Sequence, residues 1–143
     1  MRQKMLLFPS IPSQILGDLG ESIAYQFFKN AGMAVSKPSV WHYGDLQVND
    51  VFIEVKTIRQ GIDGSFSATI RKPKSQSLIY ADFILLYVIA DDIYPYVIPT
   101  SFVPHIKRIK ITSHPNTYSG KYLQFLHKFD LIFNYNKNTL KIA

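Results

Sequence analysis

A chain of 143 residues has room for one ordinary domain, and 47% hydrophobic against 18% charged residues supplies enough apolar side chains for a core. It contains no cysteine, which excludes a disulfide scaffold, a thiolate zinc site, an iron–sulfur cluster and a cysteine nucleophile. The net charge of +6 and pI of about 9.5 arise as much from few acids as from many bases, and suit a polyanionic partner such as nucleic acid.

The first residues, Met1 to Leu16, carry Arg2 and Lys4, but Pro9 and Pro12 break the apolar stretch, so no signal-peptide core is read there. The longest apolar run, Ala81 to Ala90 with Asp82 inside it, falls well short of the roughly 20 residues a membrane span needs. The expectation is a soluble, cytoplasmic protein. The four histidines, His42, His105, His114 and His127, have no HxxxH or HxH spacing, so a histidine zinc site is not expected, and His114 and His127 are read as surface residues without a ligand role.

Gln14 to Ala31 reads as the first helix, with Ser13 as N-cap and Gly32 as C-cap. Ile15, Leu16, Leu19, Ile23 and Phe27 make an apolar stripe at helical spacing. A second stripe, Gly17, Gly20, Glu21, Ala24 and Phe28, has small residues that let the helix lie close to a sheet, with Glu21 as a partly buried carboxylate in its middle. A hairpin follows. Residues 45–48 and 51–57 flank Asn49–Asp50, two residues that both tolerate positive φ in a tight turn. That turn pairs Val48 with Val51, Gln47 with Phe52 and Leu46 with Ile53, and sets Asp45 opposite Glu54. Strand alternation sends Glu54 and Lys56 to one face and Ile53, Val55 and Thr57 to the other.

Gly61 to Gly64 reads as a turn, and Ser65 to Arg71 as a third strand of the same meander, with Ser65, Ser67 and Thr69 as its polar outer face. A short helix over Lys74 to Tyr80 precedes a strand buried on both faces, Asp82 to Ile89, whose neighbour Tyr94 to Ile98 is joined through Asp91–Asp92. Further on, Ser119 to Lys128 reads as a helix and Leu131 to Phe133 as a strand. The tail aromatics Tyr118, Tyr122, Phe125, Phe129, Phe133 and Tyr135 read as core or dimer contact. The architecture expected is α/β: a mixed β-sheet flanked by α-helices, in the order α-β-β-β-α-β.

Chemistry concentrates at the hairpin. Two carboxylates facing each other across strands, with Cβ atoms about 5 Å apart, repel unless a cation lies between them. Magnesium takes oxygen ligands, is often held by only one or two protein carboxylates and keeps waters for a phosphate substrate. Lys56, one strand repeat from Glu54, can orient a water or stabilise charge on a phosphate, and Glu21 can add a third carboxylate. The set suits attack of water on a phosphodiester.

Gly44–Asp45 followed by Glu54–Val55–Lys56 resembles the motif of the PD-(D/E)XK nuclease superfamily, and Gly17–Asp18–Leu19–Gly20–Glu21 resembles the "GE" helix of Holliday junction resolvases and related small nucleases. Glycine, not proline, precedes Asp45. The resemblance implies a restriction-endonuclease-like core over about residues 14–98 of a single domain, with residues 99–143 as a C-terminal extension. It implies Glu21, Asp45 and Glu54 as ligands of Mg²⁺ (or Mn²⁺) and Lys56 as helper of the nucleophilic water. Gln76 and Tyr80 resemble a QxxxY element set beside the active site in some branches, which puts Gln76 in the catalytic set and Tyr80 with the DNA-binding residues. Arg71, Lys72 and Lys74 form one basic cluster expected on DNA, and Lys107, Arg108 and Lys110 a second that suits phosphates. The activity implied is a site-specific homing or restriction endodeoxyribonuclease acting as a homodimer on double-stranded DNA. The alternatives are a Holliday junction resolvase acting on branched DNA, a non-catalytic DNA-binding module and a protein-interaction domain.

Overall fold

The computed structural model describes residues 11–38, 44–70, 81–103 and 108–135. Helix α1 spans Ser13–Asn30. Pro12, not Ser13, occupies its N-cap position, and Ser13 opens the helix without a side-chain cap. At the other end Gly32 takes φ +83°, its N–H reaching the Lys29 carbonyl while the Met33 N–H reaches that of Phe28. This pair of bonds is a Schellman closure, and the left-handed residue it needs is the glycine expected there.

Five strands form the main sheet in the order β1-β2-β3-β5-β6. They are β1 (Val35–Ser36), β2 (Leu46–Val48), β3 (Val51–Arg59), β5 (Phe83–Ile89) and β6 (Ile93–Pro99). The β2–β3 hairpin has the register read from sequence: Val48 with Val51, Gln47 with Phe52, Leu46 with Ile53. Of the two turn residues only Asn49 takes positive φ, at 53°. Its side chain also accepts the Ala34 N–H at 3.0 Å, tying the turn to the start of β1. β5 enters parallel beside β3 and β6 returns antiparallel. Asp82 fixes the entry: its carboxylate accepts the Phe52 N–H at 2.9 Å and its own N–H donates to the Phe52 carbonyl at 2.7 Å.

The third strand of the expected meander does not stay in this sheet. After the 61–64 turn a single antiparallel bridge joins Gln60 to Phe66, and then the chain leaves β3. β4 (Phe66–Thr69) instead pairs with β7 (Arg108–Ile111) in a separate two-stranded ribbon. The edge of β3 that β4 would have used is taken by β5, whose continuous apolar side chains need cover on both faces.

Two cores result, one on each face of the sheet. On one face Leu16, Ala24 and Phe28 of α1 pack on Ile53, Val55, Phe83, Leu85 and Tyr87. On the other, Ile84, Leu86 and Val88 meet Phe66, Ala68, Ile70, Ile109, Ile111 and the tail aromatics Tyr118, Tyr122 and Phe125. The stripe of α1 that is buried is therefore Leu16, Gly20, Ala24 and Phe28. Ile15 and Phe27 of the stripe expected to be apolar and buried stand 56% and 38% exposed. Small residues won because they let the helix axis approach β3. The tail also departs from expectation. Residues 119–128 hold one 3-10 turn, Leu123–Phe125, in place of a helix. Leu131 to Phe133 belongs to a helical turn, α2 (Asp130–Phe133), in place of a strand. An apolar triplet carries no periodicity that separates the two. Here Phe129 and Phe133 close against Phe27 and Phe28, with ring centroids 4.2 to 6.3 Å apart.

Candidate functional site

Backbone geometry assembles the site at the Phe83 end of β5, where Ile53 is its partner on β3. Gly20 comes first. A Cβ on it would fall 1.8 Å from the Thr57 Oγ1 of β3, so α1 approaches the strand as only glycine allows. Its neighbour Glu21 is then carried beside Asp45, carboxyl against carboxyl. Burial, and next the Asp45 charge, push the Glu21 carboxyl above the ordinary carboxylate range, while Lys37 pulls the other way.

Asp45 sits just outside the β2 ladder. Its N–H donates to the Ile53 carbonyl at 2.8 Å, and its Oδ2 accepts the Val55 N–H at 2.7 Å. A carboxylate thus replaces the backbone acceptor at the end of the hairpin and is fixed against the middle residue of Glu54–Val55–Lys56. Gly44 makes this possible: it holds φ +147°, and a Cβ there would lie 3.1 Å from the Ile53 oxygen. Proline, with φ fixed near −65°, is excluded from that position. The departure from a proline before the aspartate therefore has a local backbone cause.

Glu54 is 4% exposed, and its Oε1 lies 3.2 Å from the Lys56 Nζ. Both extend from the sheet face that carries Ile58, opposite the face on which α1 packs against Val55. The structure thus makes two contacts, Glu21 with Asp45 and Glu54 with Lys56, linked through the Asp45–Val55 hydrogen bond. Among the described residues no three acidic or histidine side chains converge as a ready-made metal cluster. The donor chemistry still fits a divalent cation. The ligand candidates are all carboxylates, and two of them are pressed together with one pKa raised, the condition that a hard cation relieves.

An open pocket lies beside Glu21 and Asp45, and Asp18, Ser22, Tyr25 and Lys37 also line it. Asp18 and Tyr25 are three and four residues from Glu21 on one helix, a spacing from which they could have been found. Lys37 follows β1 in the chain, and nothing in its local sequence marks it. Gln76, Tyr80, Arg71, Lys72 and Lys74, together with the helix expected over 74–80, lie outside the described residues, as do His42, His105 and Lys107. Arg108 and Lys110 lie on β7. His114 is held in a polar cluster, its Nε2 2.5 Å from Asp91 and its Nδ1 accepting the Asn116 N–H at 3.1 Å. The cluster is at the Ile89 end of β5, away from Asp45. No helix of the described residues is long and apolar enough to cross a membrane.

Neither a family model nor a curated protein matches the sequence. The fold is nevertheless that of a solved structure, the bacterial homing endonuclease I-Ssp6803I. The two superpose with a TM-score of 0.69 over 92% of this chain and 99% of that one, at 17% sequence identity.

Proposed function

We propose that this protein is a metal-dependent endodeoxyribonuclease of the PD-(D/E)XK type, cutting DNA at specific sites as homing or restriction enzymes do. The observation that carries the reading is the Asp45 carboxylate. It meets Glu21 on one side and the backbone of Glu54–Val55–Lys56 on the other, within a fold shared with a homing endonuclease. Glu21, Asp45 and Glu54 are the residues that would hold Mg²⁺. The ion, when bound, supplies positive charge to the scissile phosphate and acidifies water.

The chain's own groups do the rest. Asp45, anchored by the Val55 N–H, fixes the acidic pair against the strand. Lys56, 30% exposed, has a partly solvated ammonium beside Glu54 with which to hydrogen-bond a phosphate oxygen and orient the attacking water. Lys37, across the pocket, adds a second cation for the phosphate backbone. Water forms the new P–O bond, the ester P–O bond breaks, and the leaving oxygen takes up a proton.

Supercoiled plasmid and a synthetic four-way junction, incubated with and without Mg²⁺, test this reading. Cleavage is expected only with the metal, and Glu54→Ala and Lys56→Ala are expected to abolish it while duplex binding survives. Unchanged cleavage in both variants refutes the assignment. Selective cutting of the junction moves the protein to the resolvase class.

A further inference from the structure

The β4–β7 ribbon has a use that the catalytic site does not account for. Its inner face, Phe66, Ala68, Ile109 and Ile111, is buried in the core. Its outer face is polar, and the register sets its residues side by side: Ser67 across from Lys110 and Thr69 across from Arg108, all four exposed. Two hydroxyls and two cations on adjacent strands have Cβ atoms about 5 Å apart. The ribbon covers the same face of the main sheet from which Glu54 and Lys56 extend. Because the Gln60–Phe66 bridge is antiparallel, β4 turns back alongside β3 in the direction of Lys56, which puts Thr69 and Arg108 at the end of the ribbon nearer the site.

We infer that the outer face of this ribbon enters the major groove of duplex DNA, with Arg108 and Thr69 reading base edges and Lys110 and Ser67 holding phosphate. The inference rests on the DNA-cleaving reading above and adds where sequence is recognised. Size selects the groove. Two strands about 4.8 Å apart with their side chains fill a groove about 12 Å wide and do not enter one about 6 Å wide. Chemistry selects the roles: arginine pairs with guanine in a bidentate manner, threonine bonds either kind of edge, and lysine serves as a point charge. Asp63 opposes the anion. It lies 3.5 Å from the Lys110 Nζ, and two bonds from Ser65 hold it in place and lower its pKa. Both members of that pair are exposed, so the contact is weak and DNA phosphate can replace it.

The test measures binding of random-sequence duplexes by fluorescence anisotropy in EDTA over a range of salt, and then sequences the duplexes each protein selects. Arg108→Ala/Lys110→Ala is expected to lose about tenfold or more in affinity and, through the lost Lys110 phosphate contact, to lower the slope of log K against log salt by about one. Asp63→Asn should bind more tightly than wild type, a gain that misfolding cannot produce. Thr69→Val should relax preference at one or two base pairs and leave the rest of the selected sequence alone. Unchanged affinity and slope in the double variant overturn the inference, as does an unchanged selected sequence in both Arg108→Ala and Thr69→Val. Failure of wild type to bind duplex also overturns it. Mg²⁺-dependent plasmid cutting, with its loss in Glu54→Ala, decides the nuclease reading separately, since no ribbon variant touches Glu54 or Lys56.

Discussion

Gly20→Ala probes how α1 is docked on β3. In a free helix the substitution would stabilise by about 1 kcal/mol, because alanine has the better helix propensity. Here the new Cβ would meet the Thr57 Oγ1 at 1.8 Å and the Thr57 Cβ at 3.1 Å, the first far inside the 3.4 Å at which ordinary contact begins. Rotating Thr57 removes the worse clash at a rotamer cost of about 1 kcal/mol and leaves the second. Overpacking of this kind costs about 1–3 kcal/mol, so the net expectation is a loss of about 1–2 kcal/mol. Glu21 is the next residue, and a shift of α1 draws it from Asp45. Misplacement of such a group by about 1 Å lowers activity on the order of a hundredfold. The control is Thr57→Ala. Its hydroxyl is buried without a hydrogen-bond partner among the described residues, so removing it changes stability by less than about 1 kcal/mol. In the Thr57→Ala background only the 3.1 Å contact with the residue-57 Cβ remains, which alanine's better helix propensity offsets, so Gly20→Ala should be close to neutral and plasmid cutting should return. Urea midpoints of the four proteins measure the cycle. A Gly20→Ala protein with wild-type stability and activity, or no rescue by Thr57→Ala, refutes close docking as the reason for glycine.

Other expectations follow from single contacts. Glu21 has a folded-state pKa above its unfolded one, so the folded state binds the proton more tightly and stability falls as pH rises through that window, starting near 4.5. Glu21→Gln should therefore raise the denaturation midpoint at neutral pH, give no gain at pH 4 and abolish cutting; a midpoint lower than wild type at pH 7 argues against a carboxylate held at a cost. His114→Ala removes a side chain that bonds Asp91 beside the Tyr94 hydroxyl, and should destabilise by about 1–2 kcal/mol. Cutting by the folded variant should be unchanged, because that cluster lies at the other end of β5; reduced cutting would link the two ends of the sheet.

What could be read in the sequence was local. The hairpin register followed from a two-residue turn and from alternation, since a slip of one position would have turned Leu46, Ile53 and Val55 out of the core. Gly32 was legible because a helix end needs a left-handed residue. Glu21 was legible as a carboxylate among small residues, and so was the stripe of Gly20, Ala24 and Phe28 that lies on the sheet; the exposure of Ile15 and Phe27 was not, because their hydrophobicity reads as burial. Only the distance between helix and strand decides between the two faces. The partnership of β4 with β7 was hidden for another reason. Thirty-eight residues separate their closest ends in the chain, and nothing in either segment names the other. Lys37 was missed because its place at the pocket depends on α1 and β2 meeting.

Asp45 separates structure from chemistry, provided that the right substitution is chosen. Its carboxylate has two tasks: accepting the buried Val55 N–H at 2.7 Å and carrying charge beside Glu21. Asp45→Ala removes both. The Val55 amide loses its acceptor, at a cost of about 1–3 kcal/mol, and loss of cutting in that variant could be lost folding. Asp45→Asn keeps an oxygen for Val55 and turns an amide toward Glu21, so a repulsive contact becomes a hydrogen bond. The asparagine variant should therefore unfold at a higher urea concentration than wild type at pH 7, and the alanine variant at a lower one. Both should fail to cut DNA. If asparagine destabilises as much as alanine, the carboxylate is needed for the fold and its position beside Glu21 says nothing about catalysis. If asparagine stabilises and still cuts, the charge at this position is not used by the reaction, and the metal-binding role assigned to Asp45 is wrong.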